Sequence, residues 1–497
     1  MTKNLPVTLA ILFISSIFYA QDIVFEANEN VVVPVGKDND PVNAYYTSYD
    51  GFFNLTFTKD ELIAFSRFND AFERTDSIRI NKTDPSYYDE IATFGDKQKQ
   101  AVVFEKEKML QGKSKKNYFF VVYDFETHQV VQKTMEFNFE NEQFLSTFTY
   151  KDAFYMLTLL QDYPILRLYR LDLNLENTSH NVNIKKGPLY YNNKLIDFPE
   201  RPDYLRKYLF GFEFTVNFKV IHENQPTDIQ SISAPSKIYV RGDKLYIGLD
   251  SNKDFNSLIE INLNDYSILT RQNSRTFFPR NENTGRKVNS FLLDNKLFLL
   301  KATKKRVALN VLDLNSNSYL FDKTFDSNSP YYADRNLVIS EEILKTHSIP
   351  KTQIDKDASI KNRLRQITNF QSEVGLKVVE TKNNYLVTIG GYFYSSGGVI
   401  MMGGMGNGFG SPPPTMIFTP SYSRTNSLDF YLDKNNYNLA LDVDSGYFKK
   451  MDDFLVEEGK DPKGVRAEAK IKFKRNDAFY FGYLNTADQK YYIRKFN

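Results

Sequence analysis

The sequence predicts an all-β protein assembled from repeated four-stranded meanders. Three observations carry this. Aromatic residues make up 15% of the chain, as 42 Phe and 33 Tyr without any Trp, and flat aromatic side chains favour half-buried pleated surfaces. Short apolar runs of strand length recur from one end of the chain to the other. A polar hairpin turn separates pairs of these runs, most plainly in Tyr150-Lys151-Asp152-Ala153-Phe154-Tyr155-Met156-Leu157.

The 497 residues are 41% hydrophobic, which is enough for a large core. A net charge of +2, from 63 basic and 61 acidic residues, argues against a nucleic-acid binder, which concentrates basic charge. There is no cysteine, so no disulfide, thiol nucleophile or thiolate ligand exists. Burial must replace the covalent staples of small exported domains.

At the N-terminus, Lys3 is the only charged side chain before Asp22, and Leu5 to Ala20 runs apolar. This pattern predicts a secretory signal peptide over residues 1–20, cleaved after Ala20. Phe18 departs from the small-residue preference near the cut. The alternative, an uncleaved anchor, is disfavoured because a membrane span needs about 20 apolar residues. Cysteine-free export points to a bacterial envelope protein, periplasmic or secreted.

Beyond the signal, Ile23–Phe25 and Val31–Val35 read as strands. Phe52–Thr58 and Leu62–Phe68 read as a hairpin about Lys59-Asp60-Glu61. The same device recurs at Lys151-Asp152, Gly242-Asp243-Lys244, Asp294-Asn295-Lys296, Lys382-Asn383-Asn384 and Asn476-Asp477, with a weaker copy at Lys115-Lys116-Asn117. Asp, Asn and Gly suit these turns because they tolerate left-handed backbone angles and bond locally to the chain. A second piece follows most copies: Tyr123-Asp124-Phe125, Leu171-Asp172-Leu173, Ile261-Asn262-Leu263 and Leu312-Asp313-Leu314, with degraded forms at Tyr431-Leu432-Asp433 and Tyr483-Leu484-Asn485. Each unit is thus a four-stranded meander, and several spacings approximate one or two periods of about 40–50 residues.

In these meanders the chain resembles β-propeller proteins, in architecture rather than by a named family motif. The resemblance implies a single propeller domain over residues 21–497 with about seven blades (six to eight). It further implies that Ile23–Val35 completes the last blade and removes a free sheet edge. A pair of β-sandwiches is the competing architecture. Two insertions interrupt the meanders. The 340–370 region reads as helical, with Ser340 as N-cap before Glu341 and Glu342, Pro350 dividing it, and Lys361, Arg363 and Arg365 on a solvated face. A short helix is expected at 200–210.

No catalytic constellation stands out. His128, His180, His222 and His347 lack zinc-motif spacing, and no GxSxG elbow is present. Asp250 to Asn256 alternates oxygen ligands like a calcium loop, but Phe255 stands where glycine is needed and Ile261 where glutamate is needed. Arg241-Gly242-Asp243 coincides with the recurring turn, which accounts for it. No cofactor and no metal is expected.

The stretch that departs most is 390–420, rich in Gly, Met and Pro. Its Ser411-Pro412-Pro413-Pro414 run and the lack of a following helix exclude a nucleotide cradle. A mobile surface loop would explain the glycines but not the apolar run Val399-Ile400-Met401-Met402, whose exposure costs solubility unless covered. Methionine adapts to irregular partner surfaces. The expected partner-binding residues are therefore Val399, Ile400, Met401, Met402, Met405, Phe409 and Met416. The expected function is an exported, non-catalytic binding module, an accessory subunit docking on an envelope complex or outer-membrane channel. An extracellular hydrolase or carbohydrate-binding protein with an axial site is the alternative.

Overall fold

The computed structural model describes residues 22–28, 42–106, 115–160, 163–184, 218–222, 227–276, 278, 286–326, 360–369, 372–395, 422–438, 467–485 and 488–496, apart from 382 and 477. It also describes the short strands 190–191, 194–195, 339–345, 351–354, 399–402 and 415–418, and residues 440, 451 and 454. The expected signal, the expected strand 31–35 and the expected helix at 200–210 lie outside these residues.

Among the described residues, seven sheets of four or five strands and two separate two-stranded pairs make up the fold. It is a β-propeller of seven blades. Blade 1 comprises Asn43–Tyr49, Phe52–Lys59, Leu62–Asn69 and Arg74–Asn81. Blade 2 comprises Tyr87–Gly95, Lys99–Lys106, Lys115–Asp124 and Val130–Asn138. Blade 3 comprises Glu142–Tyr150, Ala153–Leu160, Ile165–Leu171 and Asn177–Asn183. Blade 4 comprises Ser236–Arg241, Lys244–Leu249, Phe255–Asn262 and Ile268–Ser274, with Lys219–Ile221 added in parallel to its first strand. Blade 5 comprises Lys287–Leu293, Lys296–Ala302, Arg306–Asp313 and Ser318–Asp326.

The last two blades are composite. Blade 6 is ordered Glu373–Glu380, Asn384–Ser395, Tyr422–Asp433, Ile339–Lys345, Lys351–Ile354. Its outer strands therefore precede its first strand in the chain. This corrects the expected helix capped by Ser340: that residue lies in a strand, paired with Ser427. Only Ile360–Ile367 of the region is helical among the described residues. Blade 7 joins Ala467–Arg475, Ala478–Asn485 and Lys490–Phe496 to the N-terminal strand Asp22–Asn28. That strand pairs from Asp22↔Lys495 to Asn28↔Lys490, as the closure argument expected. Its Phe25 ring meets Phe68 of blade 1 edge-on at 4.9 Å.

Alternation along each strand sends apolar residues to both faces of a blade, and neighbouring blades bury them together. Phe65, Phe104 and Tyr123 join blades 1 and 2. Phe120 and Phe154 join blades 2 and 3, and Leu157 and Ile247 join blades 3 and 4. Leu300, Leu309 and Leu376 join blades 5 and 6. Phe53, Phe473 and Tyr491 join blades 7 and 1. Each large apolar side chain so buried contributes roughly 1.5–3 kcal/mol.

The two recurring sequence pieces are, in most blades, two turns on one end of the blade; Tyr483-Leu484-Asn485 instead ends the second strand of blade 7, at the opposite end. In the first, a left-handed residue closes the hairpin: Lys151 (φ 50°), Gly242 (φ 56°), Asp294 (φ 50°) and Asn476 (φ 47°). The Lys59-Asp60-Glu61 turn instead joins the second and third strands of blade 1, and Lys115 to Asn117 lies inside a strand. In the second piece, an Asp or Asn at the end of the third strand accepts bonds from backbone amides ahead of it. Asn69 accepts from Ala71 and Glu73, Asp124 from Glu126 and Thr127, and Asp172 from Asn174 and Glu176. Asn262 accepts from Asn264, Asp313 from Asn315 and Ser316, and Asp433 from Asn435 and Asn436. Asp433, which the sequence marks as degraded, is thus a full copy.

This second turn also carries a left-handed non-glycine residue: Phe72, His128, Leu175, Tyr266, Asn317 and Tyr437. The conformation costs about 1–2 kcal/mol. Burial offsets it at Phe72, Leu175 and Tyr437. Phe72 packs on Phe53 (5.0 Å) and on Tyr480 of blade 7 (4.8 Å). Tyr437 packs on Phe321 of blade 5 (6.0 Å), and Tyr266 stacks on His180 of blade 3 (3.9 Å). The turn therefore drives a plug into the seam with the preceding blade.

Candidate functional site

The turns described above occupy one end of the blades. The opposite end carries the second-to-third connections and the links between blades, where the regular pattern breaks. Blade 6 breaks it most. Its strands Asn384–Ser395 and Tyr422–Asp433 pair over twelve rungs, from Asn384↔Asp433 to Ser395↔Tyr422. Beyond them Val399–Met402 pairs with Thr415–Phe418. The 390–420 stretch is thus in part a β-ribbon rather than a loop. Val399 is matched with Phe418, Ile400 with Ile417, Met401 with Met416 and Met402 with Thr415. Five of the expected partner-binding residues, Val399, Ile400, Met401, Met402 and Met416, come together in this ribbon; Met405 and Phe409 lie outside the described residues.

Glycines let helices approach the base of this arm. A Cβ on Gly391 would lie 2.7 Å from the Ile367 Cα, at the end of the Ile360–Ile367 helix, here α2. A Cβ on Gly390 would lie 2.6 Å from Ile229, and one on Gly375 would lie 2.8 Å from Ile232. Both isoleucines belong to the one-turn helix α1, Ile229–Ile232, capped by Asp228. Arg363 of α2, expected on a solvated face, is buried and donates to Asn426 at 2.6 Å. Its neighbours Lys361 and Arg365 are exposed. The helix turns a cation inward because Asn426, on the arm strand, offers an acceptor there.

The same end of blades 4 and 5 holds a buried polar cluster that sequence reasoning missed. Lys237 opens the first strand of blade 4, and Asp250 follows the second. Lys237 Nζ lies 3.1 Å from Asp250 Oδ2 and 3.0 Å from Asn289 Oδ1. Arg275 pairs with Asp250 Oδ1. Asn256 Nδ2 donates to Oδ1 at 2.9 Å, and Ser290 Oγ to Oδ2 at 2.8 Å. Asn289 also accepts from the Leu376 amide at 3.2 Å, tying in the first strand of blade 6. Beside this, Asp254 binds Lys301 (3.0 Å) and Arg286 (3.1 Å).

Burial pushes the Asp250 carboxyl up, but Lys237 and Arg275, with the bonds from Asn256 and Ser290, outweigh it and hold the group below the usual carboxylate range. Burial lowers the Lys237 ammonium, opposed by Asp250. Both Asp250 oxygens are engaged, so this carboxylate is set up to clamp blades rather than to accept a substrate proton. Asp250 is the first position of the calcium-like loop, and the charges facing it are those of Lys237 and Arg275. Among the described residues no group of His, Asp and Glu is placed to hold a metal ion. The sequence signals for the cluster were Lys237, beside the apolar run Ile238-Tyr239-Val240, and Asp250 at the head of the calcium-like loop. Arg241 of the Arg-Gly-Asp tripeptide is buried, with Nη1 donating to the Val240 carbonyl at 2.9 Å.

A second buried carboxyl lies between blades 1 and 2. Glu90 Oε2 accepts from Thr58 Oγ1 at 2.8 Å, while Oε1 is enclosed without a hydrogen-bond partner. Burial raises its pKa well above the ordinary value, opposed by Thr58 and by the charge of Lys82. No helix among the described residues is long and apolar enough to cross a membrane.

No family model matches the chain, and no curated protein matches it significantly. Solved structures similar to it include the Dos1 propeller, at 11% identity and a TM-score of 0.28, covering 58% of this chain and 61% of that one. The cobalt-substituted apocarotenoid oxygenase of Synechocystis is similar at 8% identity and 0.27, covering 56% and 60%. A prolyl endopeptidase structure is similar at 10% identity and 0.32, covering 90% and 55%. The chain thus spans about three-fifths of the length of the first two.

Proposed function

We propose that this chain is an exported, non-catalytic propeller that docks, through the arm of blade 6, on a protein complex or channel of the bacterial envelope. The observation that supports this is the composition of the ribbon. Seven of its eight paired positions, all but Thr415, are apolar. Successive rungs of an antiparallel ribbon present their residues to alternate faces, so apolar residues fall on both. A two-stranded ribbon is marginally stable by itself. Two apolar faces on so small an element call for a covering surface, and methionine fits an irregular one. The propeller supplies a rigid base for it, with function carried by connections rather than by the repeated sheets.

The test removes residues 397–420, bridged by a short Gly-Ser linker, and compares cross-linked complexes purified from native envelopes. The deleted protein should keep its thermal unfolding midpoint within a few degrees and lose a defined partner by at least tenfold. Retention of every partner by the deleted protein would sink the docking reading.

A further inference from the structure

The two ends of the ring differ in charge. At the end with the recurring turns, carboxylates are built in as caps. Asp96, Asp124, Asp172, Asp265, Asp313 and Asp433 each accept a backbone amide there. The end that carries the arm is basic on blades 4 to 6. Lys253 lies in the connection between the second and third strands of blade 4. Lys304 and Lys305 lie in the corresponding turn of blade 5, between Ala302 and Arg306. Lys361 and Arg365 stand on α2, whose end meets Gly391 at the base of the arm. All five are exposed.

Carboxylates on the same end have their charge answered within the fold. Asp250 is held by Lys237 and Arg275, and Asp254 by Lys301 and Arg286. Asp228 caps α1. The cations also crowd one another. Burial lowers the Lys287 ammonium and the charge of Lys253 lowers it further, opposed by Glu373. Like charges gathered on one surface repel, and a surface of opposite sign relieves that while steering its own approach.

We propose that the arm-bearing end of the ring binds an acidic segment of a protein partner, held by Lys253, Lys304, Lys305, Lys361 and Arg365. This rests on the docking reading of the arm given above and names the chemistry of what it docks on. Among the described residues the ribbon of the arm has two strands, so its outer edges present backbone groups that seek partners. Hydrocarbon does not accommodate such edges, whereas a strand of another protein pairs with them. The segment met by the basic collar is therefore part of a protein rather than an anionic lipid surface. The capped turns at the other end repel the same segment, which fixes the end of the ring that engages.

The test uses the full chain and a fluorescein-labelled polyglutamate peptide, followed by fluorescence anisotropy. Binding should be saturable at low salt and fall at least tenfold by 0.15 M salt, where charges are screened over about 8 Å. Lys304→Glu/Lys305→Glu and Lys361→Glu/Arg365→Glu should each weaken it at least tenfold. Lys97→Glu/Lys133→Glu, a reversal of two exposed lysines elsewhere, should leave it within twofold. Removing residues 397–420 should also leave it within twofold, so the collar is tested separately from the arm. If a reversal variant loses its β-sheet circular dichroism, the Gln variants at the same positions replace it, with at least a threefold loss expected. Equal binding by the folded collar variants and the natural protein would overturn the proposal. So would binding to phosphatidylglycerol vesicles without binding to the peptide.

Discussion

Blades 1 to 5 and blades 6 and 7 solve the same problem differently. Each of the first five takes its four main strands from one continuous stretch of chain. Blade 6 takes its outer strands from the segment before its first strand, and blade 7 takes its outer strand from the N-terminus. The first group is held by local turns and facing apolar sheets. The second is held by distant pairing, by helices seated on glycines and by Met451 and Phe454 packed against blade 7. The contrast teaches where departures from the repeat can be tolerated: the arm sits in the composite part, while the continuous blades form the frame.

The sharpest way to break the contrast is to remove residues 22–28. The loss should exceed the ~3–5 kcal/mol typical of deleting one buried Phe, because Phe25 leaves Phe68 and blade 7 regains a free edge. Denaturant unfolding would measure it. If stability is unchanged, closure is not what holds the ring. Within the continuous blades, Lys237→Ala should cost about 3–5 kcal/mol, since it breaks a buried ion cluster from one side. The same measurement would detect it as a lowered midpoint. Gly391→Ala should cost roughly 1–3 kcal/mol through overpacking against Ile367, with hydrogen exchange rising first in blade 6.

The smallest effect is the pH dependence of Glu90. Its carboxyl titrates higher in the folded than in the unfolded chain, so the folded state binds more protons. Stability is therefore fully present below the ordinary glutamate value of about 4.3 and falls as pH rises through the folded value. Glu90→Gln should remove that decline, leaving the variant more stable than the natural protein at neutral pH and no more stable at pH 4. Parallel midpoint-against-pH curves for the two proteins would refute this.

The sequence by itself determined the meanders, because their signals are local. Period-two alternation marks a strand, and an Asp, Asn or Gly in the right place marks a turn, as at Gly242 and Asp172. It also marked the ribbon residues Val399 to Met402 as anomalous, since an unexplained apolar run is visible without a structure. Only the tertiary structure decided what Ile339–Lys345 does. Its acidic, well-capped start reads as a helix, but the pairing with Tyr422–Leu428 lies far along the chain and overrides local preference. The same holds for Arg363, which looked solvated until Asn426 met it, and for Asp250, which looked like a loop ligand until Lys237 and Arg275 closed on it. A strand's partner, and whether a charge is buried, are set by what arrives from elsewhere in the chain, and no local pattern records that arrival.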